Sequence, residues 1–224
     1  MKEISRRDLL KTGLVSGTAL AAMAAMGGCA AKPEEPSQTP GEAAQRVTVD
    51  YDAETVALAK EIISTPIHYT DAQLKEVYEI ISCKCRYFWG NDFQDFDALK
   101  DTFTDEGPDG FQVLMGGKMQ TLTPDEQIDR CIWSIGPQEN MIPMHFGHNQ
   151  IVRFLDDTHA QILTRMNDRH TYKDDGEVYA GWGFYVDDAM KCKDGAWRFS
   201  CIRLCYGVLE NQLRCVKKMM EENS

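Results

Sequence analysis

His145 is the residue most suited to acid–base chemistry, and it lies with His148 in a run of β-forming residues. Imidazole has a pKa of about 6.5, so a histidine is usefully basic at neutral pH and is a natural general base. Residues three apart on a strand point to opposite faces, which makes this pair a poor chelate for a metal ion. We therefore expect an acid–base role for His145, with a structural histidine as the alternative. The spacing speaks against a metal site, and no cofactor is predicted.

Arg203 is a cation in an apolar setting near the C-terminus. On the predicted last strand, Arg203 shares one face with Trp197, Phe199 and Cys201. A cation on such a face needs an anionic partner. The sequence offers Asp92 or a substrate carboxylate for this role, and a structural ion pair is the alternative.

The cysteines form no recognisable metal or redox motif. The chain has eight, without any CxxC pair of the zinc-ribbon or thioredoxin type. Cys29 lies in the N-terminal segment, and an odd number follows it, so disulfides would leave one thiol unpaired. We expect most of them to be small buried residues. They are Cys83, Cys85, Cys131, Cys192, Cys201, Cys205 and Cys215.

The composition is that of a folded, acidic protein. Of 224 residues, 43% are hydrophobic and 26% charged, which excludes a wholly disordered or collagen-like chain. With 24 Lys and Arg against 35 Asp and Glu, the net charge is −11. Phosphate binding requires a basic face, so nucleic acid is not an expected partner.

Residues 1–29 have the pattern of an export signal. Ser5–Lys11 carries paired arginines, which indicates the twin-arginine export machinery as a partner. The apolar run Thr12–Met26 is too short for a confident transmembrane helix, which needs about 20 residues. Met26–Cys29 is similar to a lipobox, which predicts lipidation of Cys29 on the outer face of the cytoplasmic membrane. An uncleaved membrane anchor is the alternative.

The rest of the chain divides into a linker and one domain. Residues 30–46 contain three prolines and almost nothing to bury, as expected of a flexible linker. Residues 47–224 are the predicted domain. In its first half, helices are predicted near 51–63, from the cap Thr70 to Trp89, after Asp95, and from the capping box at Thr123 to Ile135.

The second half is predicted to be strands. Short turns separate the β-type runs, so they form an antiparallel meander. The runs are Pro143–Leu155, Thr158–Tyr172, Glu177–Cys192 and Ala196–Gly207. The fold class is therefore α+β, a curved sheet with the N-terminal helices on its concave face. Both faces of the last strand hold apolar residues. This predicts a homo-oligomer, dimer or trimer, or a C-terminal helix over 209–220 packed there.

Several short motifs resemble SnoaL-like domains of the nuclear-transport-factor-2-like superfamily, nearest to the bile-acid 7α-dehydratase type. The resemblance covers residues 70–209 and implies a cone-shaped α+β barrel. Its motifs are Tyr87 followed by Asp92, Asp95–Leu99, Met144–Asn149, Gly183–Asp187 and Asp194–Phe199.

The resemblance also implies roles for particular residues. It places Tyr87, Asp92, His145 and Arg203 on catalytic positions, and Asp168 on the carboxylate that orients the histidine. In an elimination of water, His145 would be the base, with Asp168 on its far nitrogen, and Tyr87 would donate to the developing enolate. The substrate-binding residues would be Trp89, Asn149, Phe184 and Tyr185.

The function implied by this resemblance is a lyase or isomerase without a cofactor. Its substrate would be a small apolar polycyclic or aromatic hydroxy-carbonyl compound. One alternative is an extracytoplasmic binding module for an apolar small ligand. Another is an interaction subunit whose cone is filled by side chains, because one fold hosts many functions.

Overall fold

The computed structural model describes residues 46–48, 51–115 and 118–222. The predicted export signal, the lipobox with Cys29 and most of the predicted linker lie outside the described residues. In the part of the chain that is described, no helix is both long and apolar enough to cross a membrane.

Five α-helices are described, and three of them begin at the residues that the sequence predicts. Thr70 and Thr123 form capping boxes with Gln73 and Glu126, and Asp95 caps the short third helix. The second helix continues through Gly90 to Asp92, beyond its predicted end at Trp89. The helices are α1 (Ala53–Ser64), α2 (Asp71–Asp92), α3 (Phe96–Lys100), α4 (Pro124–Ile135) and α5 (Arg214–Glu222).

The described residues include eight strands, which are β1 (Arg46–Thr48), β2 (Phe111–Met115), β3 (Lys118–Leu122), β4 (Met141–Ile142), β5 (His145–Phe154), β6 (His159–Tyr172), β7 (Val178–Lys191) and β8 (Trp197–Glu210). They form one sheet in the order β3-β2-β8-β7-β6-β4, with β1 paired to β8 and β5 to β6. The strands β5 to β8 are the predicted antiparallel meander, whereas β2 and β8 run parallel. The α+β class is confirmed.

The two faces of the sheet are covered by different helices. We call the face against α2 the inner face, where Tyr87 and Phe88 pack on Met166 and Tyr185. On the opposite, outer face, Ile62 of α1 is buried in a second cluster. The N-terminal helices therefore do not share one face of the sheet, because α2 packs on the inner face and α1 on the outer face. The partners of Ile62 on the outer face are Phe184, Val186 and Cys205.

A bulge in β8 overturns the predicted position of Arg203. Ala189 pairs with Phe199 but Asp188 pairs with Cys201, so one extra residue, Ser200, interrupts the alternation. Trp197 and Phe199 precede the bulge on the inner face, and Ile202 and Leu204 continue that face after it. Arg203 lies on the outer side, where its Nη2 is 2.6 Å from Asp188 Oδ2. The structure thus shows the alternative, a structural ion pair, in which the partner of Arg203 is Asp188 rather than Asp92.

A second bulge, in β5, displaces Asn149 in the same way. His148 pairs with Arg165 and Ile151 with Leu163, which leaves one residue too many on β5. Asn149 takes the left-handed conformation, with φ of 52°. The sequence pattern places Asn149 on the face of His145, but Asn149 lines a pocket on the outer side together with Ile151.

Two segments near the ends of the sheet differ from their predictions. The strands β2 and β3, which pair antiparallel, are absent from the sequence-based prediction. The C-terminal helix α5 does not cover the second face of β8. Instead, Leu213 just before it packs on Ile135, Met141 and Tyr172. Homo-oligomer formation stays a prediction.

The described cysteines are all free thiols. Five of the seven are buried, as expected, whereas Cys85 is exposed and Cys215 is partly buried. Burial raises the pKa of the Cys83 and Cys131 thiols to about 12. These two side chains therefore act as small core residues rather than as reactive thiols.

Candidate active site

The end of α2 and the start of β5 are joined by a carboxylate–histidine pair. Asp92 Oδ1 lies 2.7 Å from His145 Nδ1. The backbone N–H of His145 also donates to both oxygens of Asp92, at 3.0 and 3.1 Å. A carboxylate next to Nδ1 favours the tautomer with hydrogen on Nδ1, which leaves a lone pair on Nε2. The carboxylate that orients His145 is therefore Asp92, and the prediction that Asp168 fills this position is wrong.

Phe88 fixes one side of the His145 ring. The two rings are nearly parallel, with an interplanar angle of 24° and centroids 6.2 Å apart. Phe88 can approach the strand this closely because the next residue on that face of β5 is Gly147. A Cβ at Gly147 would lie 2.0 Å from Phe88 Cε2. The close packing of Phe88 on β5 therefore requires a glycine at position 147.

An open pocket of about 700 Å³ adjoins His145. Its wall is mostly apolar and aromatic, although Asp92 and His148 also line it. Trp89, a predicted substrate contact, is 58% exposed here and stacks on Phe93. Exposed aromatic surface beside a basic nitrogen is suited to a flat apolar ligand. The other lining residues are Cys85, Phe88, Ile142, Pro143, Met144, Phe146 and Gly147.

Asp168 lies directly opposite His145 in the β5–β6 ladder, so the two side chains share the inner face. Its Oδ2 accepts a hydrogen bond of 2.8 Å from the Tyr206 hydroxyl. His170, two residues further on β6, points to the same face, and its Nε2 is 3.7 Å from Asp168 Oδ2. Both side chains are almost fully buried.

His170 is a residue of this site that the sequence analysis missed. The sequence contained a signal for it, because His170 lies two residues after Asp168 and residues i and i+2 of a strand share a face. The His170 ring stacks on Tyr179, and its centroid is 4.8 Å from that of His145. Burial lowers the pKa of His170 and raises the pKa of Tyr206.

Tyr87 and Tyr185 belong to a buried cluster rather than to the pocket wall. Their hydroxyl oxygens are 3.5 Å apart, and burial raises the pKa of both phenols. Lys84 Nζ lies 3.5 Å from the centre of the Tyr185 ring. The same nitrogen forms a fully buried ion pair of 2.8 Å with Asp187. The pocket beside His145 includes neither tyrosine.

Phe184 and Asn149 line a separate pocket of about 340 Å³ on the outer face. There the Phe184 ring is 5.1 Å from the ring of Tyr51, and α1 forms one wall. The structure thus brings together His145, Asp92, Asp168 and Trp89 of the predicted site residues. The others lie elsewhere, namely Tyr87 and Tyr185 in the core, and Arg203, Asn149 and Phe184 towards the outer face.

Comparisons with known proteins agree with this architecture. The family model of the SnoaL-like domain matches residues 72–203. No curated protein matches the chain. One similar solved structure is a protein of Novosphingobium aromaticivorans that is provisionally described as a scytalone dehydratase. It is 20% identical, with a TM-score of 0.55, over 65% of this chain and 94% of that one.

Two further solved structures have the same fold. A protein of Kribbella flavida is 23% identical, with a TM-score of 0.54, over 63% of this chain and 96% of that one. A type 2 hexachlorocyclohexane dehydrochlorinase, LinA, is 15% identical, with a TM-score of 0.53, over 63% of this chain and 92% of that one. At these identities the similarity shows the fold alone.

Proposed function

Since the chain belongs to the SnoaL-like domain family, we propose that it is a lyase or isomerase that acts by acid–base chemistry without a cofactor. The substrate class is a small, apolar hydroxy-carbonyl compound. The observation that carries the proposal is the 2.7 Å contact between Asp92 Oδ1 and His145 Nδ1, beside an apolar pocket. Family membership alone does not assign a reaction, because one fold hosts many.

The reaction begins with the lone pair on His145 Nε2. This nitrogen removes a proton from the carbon next to the substrate carbonyl, and the electron pair of the broken C–H bond moves into an enolate. Asp92 stabilises the imidazolium that forms, because its carboxylate already contacts Nδ1. The enolate then expels the hydroxyl group on the next carbon, and the proton on Nε2 leaves with it as water. One histidine can therefore serve as base and then as acid.

The pocket favours a flat apolar substrate. Trp89 and Phe93 stack with centroids 5.1 Å apart and present aromatic surface next to His145. A flat substrate bound against these walls would displace water from the reacting centre and strengthen the electrostatic stabilisation by Asp92. Two of the similar structures are described as a dehydratase and a dehydrochlorinase, names that denote eliminations. This is consistent with the proposal, although those similarities extend only to the fold.

The test is turnover by wild-type protein and by His145→Ala. A panel of β-hydroxy ketones with one to several rings is incubated with each protein, and the conjugated enone product is followed by absorbance. We expect His145→Ala to lose about 10²- to 10⁴-fold in rate, the usual contribution of a general base. His68→Ala is the matched control, because His68 is exposed and lies away from the pocket that adjoins His145. Equal turnover by wild type and His145→Ala would refute the proposal.

Capture of an apolar ligand without conversion is the second candidate function. It is supported by the position of Tyr87, the predicted enolate donor, whose hydroxyl lies in the buried cluster with Tyr185. If this candidate is correct, the wild-type protein retains a compound of the panel through gel filtration and releases it unchanged. Product formation that depends on His145 would exclude it.

We also propose that the protein acts outside the cytoplasmic membrane, held there by lipid on Cys29. The support is the sequence of residues 5–29. Substitution of Cys29 by Ala should move the protein from the membrane fraction to the soluble extracytoplasmic fraction. Unchanged fractionation would contradict lipid anchoring.

A further inference from the structure

We propose that His145, Asp168 and His170 form a binding site for one divalent transition-metal ion, with Zn²⁺ as the best match. The three residues offer donor atoms that all lie within 4.8 Å of one another. The β5–β6 ladder sets this geometry, because His145 is paired with Asp168 and His170 follows two residues later on the same face. Two imidazoles and one carboxylate are a known ligand set for first-row transition metals.

Two buried atoms of the cluster have no hydrogen-bond partner among the residues that the structure describes. These atoms are Asp168 Oδ1 and His170 Nδ1, and both are inaccessible to solvent. The 3.7 Å separation between His170 Nε2 and Asp168 Oδ2 is too long for a hydrogen bond. A buried polar atom without a partner is costly. A cation bound between the carboxylate and the two imidazoles would remove that cost for Asp168.

Neighbouring residues already orient the proposed ligands. Asp92 contacts His145 Nδ1, which leaves Nε2 free to bind a metal ion. The Tyr206 hydroxyl donates to Asp168 Oδ2, and the Tyr179 ring stacks on His170. Hydrogen bonds of this kind, behind the ligating atoms, are typical of metal sites in proteins. Nitrogen-rich ligands favour Zn²⁺ and its neighbours over Mg²⁺ and Ca²⁺, which prefer oxygen.

The site shares His145 with the proposed function but does not depend on it. A metal ion on Nε2 would occupy the lone pair that otherwise removes the substrate proton. Bound Zn²⁺ is therefore expected to inhibit turnover. Three protein ligands leave one position of a tetrahedral ion open. Because His145 lines the pocket, that position can take water or a polar group of a ligand.

The direct test uses the metal alone. The full-length protein is treated with a chelator, dialysed and titrated with ZnCl₂ by calorimetry, and CoCl₂ is added separately to record visible absorption bands. We expect one Zn²⁺ per chain. His170→Asn and Asp168→Asn should each weaken binding at least 10-fold, and His68→Asn should leave it unchanged. Circular dichroism of the metal-free variants verifies folding.

A second measurement needs no variant. In wild-type protein with ¹⁵N-labelled histidine, Zn²⁺ should shift the ring nitrogens of two of the five histidines. The absence of stoichiometric binding, or equal affinity in all variants, would overturn the metal site. Turnover that persists in His145→Ala would instead overturn the proposed function. If both are correct, Zn²⁺ inhibits the wild type and leaves the turnover of His170→Asn largely unaffected.

Discussion

Asp92 contacts His145 twice, through the ring nitrogen Nδ1 at 2.7 Å and through the backbone N–H at 3.0 Å. The carboxylate belongs to the last residue of α2, and the histidine is the first residue of β5. One side chain therefore fixes both the path of the strand and the orientation of the imidazole. The backbone contact holds the histidine in place, whereas the ring contact determines which nitrogen is free.

Replacement of Asp92 by Ala should show how much the ring contact to Nδ1 contributes beyond the backbone contact. Without the carboxylate, His145 loses the acceptor that favours hydrogen on Nδ1, and we expect both tautomers to be populated. The ¹⁵N shifts of the His145 ring report this change, and turnover should fall about 10²-fold or more. Asp97→Ala is the control, because Asp97 is exposed on α3. A wild-type spectrum in Asp92→Ala would mean that Asp92 supports only the backbone.

Gly147→Ala should disturb the site through packing alone. The added Cβ would lie 2.0 Å from Phe88 Cε2, so the Phe88 ring or the strand must move. Overpacking of this kind costs about 1–3 kcal/mol of unfolding free energy, measured by urea denaturation. At Gly107 the nearest atom to an added Cβ is Met190 Sδ at 3.6 Å, an ordinary contact. Equal stability of Gly147→Ala and Gly107→Ala would show that the strand yields without strain.

Local signals predicted the elements well. Thr70, Asp95 and Thr123 start their helices where predicted, because a cap depends on residues three positions away. The long strands could likewise be predicted, from the short turns between them and from the alternation of their side chains. Asp168, which the resemblance assigns to His145, does lie opposite it in the β5–β6 ladder, but its hydrogen bond comes from Tyr206.

Long-range features could not be predicted in the same way. The bulges at Ser200 and Asn149 each add one residue, and one residue is enough to move every later side chain to the other face. Arg203 and Asn149 were misplaced for this reason. The pairing of Asp92 with His145 depends on where α2 ends relative to β5, which alternation and caps do not specify.

The turn between β5 and β6 should show a defined acid dependence. Hydrogen bonds from the backbone and hydroxyl of Thr158 lower the pKa of Asp156 from 3.8 to about 2, and His159 also contacts it. A carboxyl whose pKa is lower in the folded state stabilises the protein above pH 3.8. That contribution is lost as the pH falls towards about 2.

The measurement compares urea unfolding of wild type and Asp156→Ala as a function of pH. The difference in stability should be constant near neutral pH and should shrink below about pH 4. A difference that does not change with pH would mean that Asp156 acts only through the shape of the turn. Asp157→Ala, at the adjacent exposed position, is the control.

Tyr206→Phe should weaken the arrangement of Asp168. The substitution removes the 2.8 Å hydrogen bond to Oδ2 and leaves the buried carboxylate without that donor. Loss of a partner from a buried group costs about 1–3 kcal/mol, so the thermal midpoint should fall. Tyr78→Phe serves as the control because Tyr78 is 73% exposed. No difference between the two variants would indicate that solvent replaces the lost hydroxyl.

The ion pair between Lys84 and Asp187 is fully buried beneath Tyr87 and Tyr185, and we expect its two halves to be strongly coupled. Burial lowers the pKa of Lys84 and raises the pKa of Asp187, while their mutual attraction opposes both shifts.

Lys84→Met leaves a buried charge without its partner and should cost about 3–5 kcal/mol in urea unfolding. Lys84→Met combined with Asp187→Leu should recover part of that loss, because no isolated charge remains. Additive losses would show that solvent reaches the remaining carboxylate, and the exposed pair Lys100–Asp125 is the comparison in which little coupling is expected.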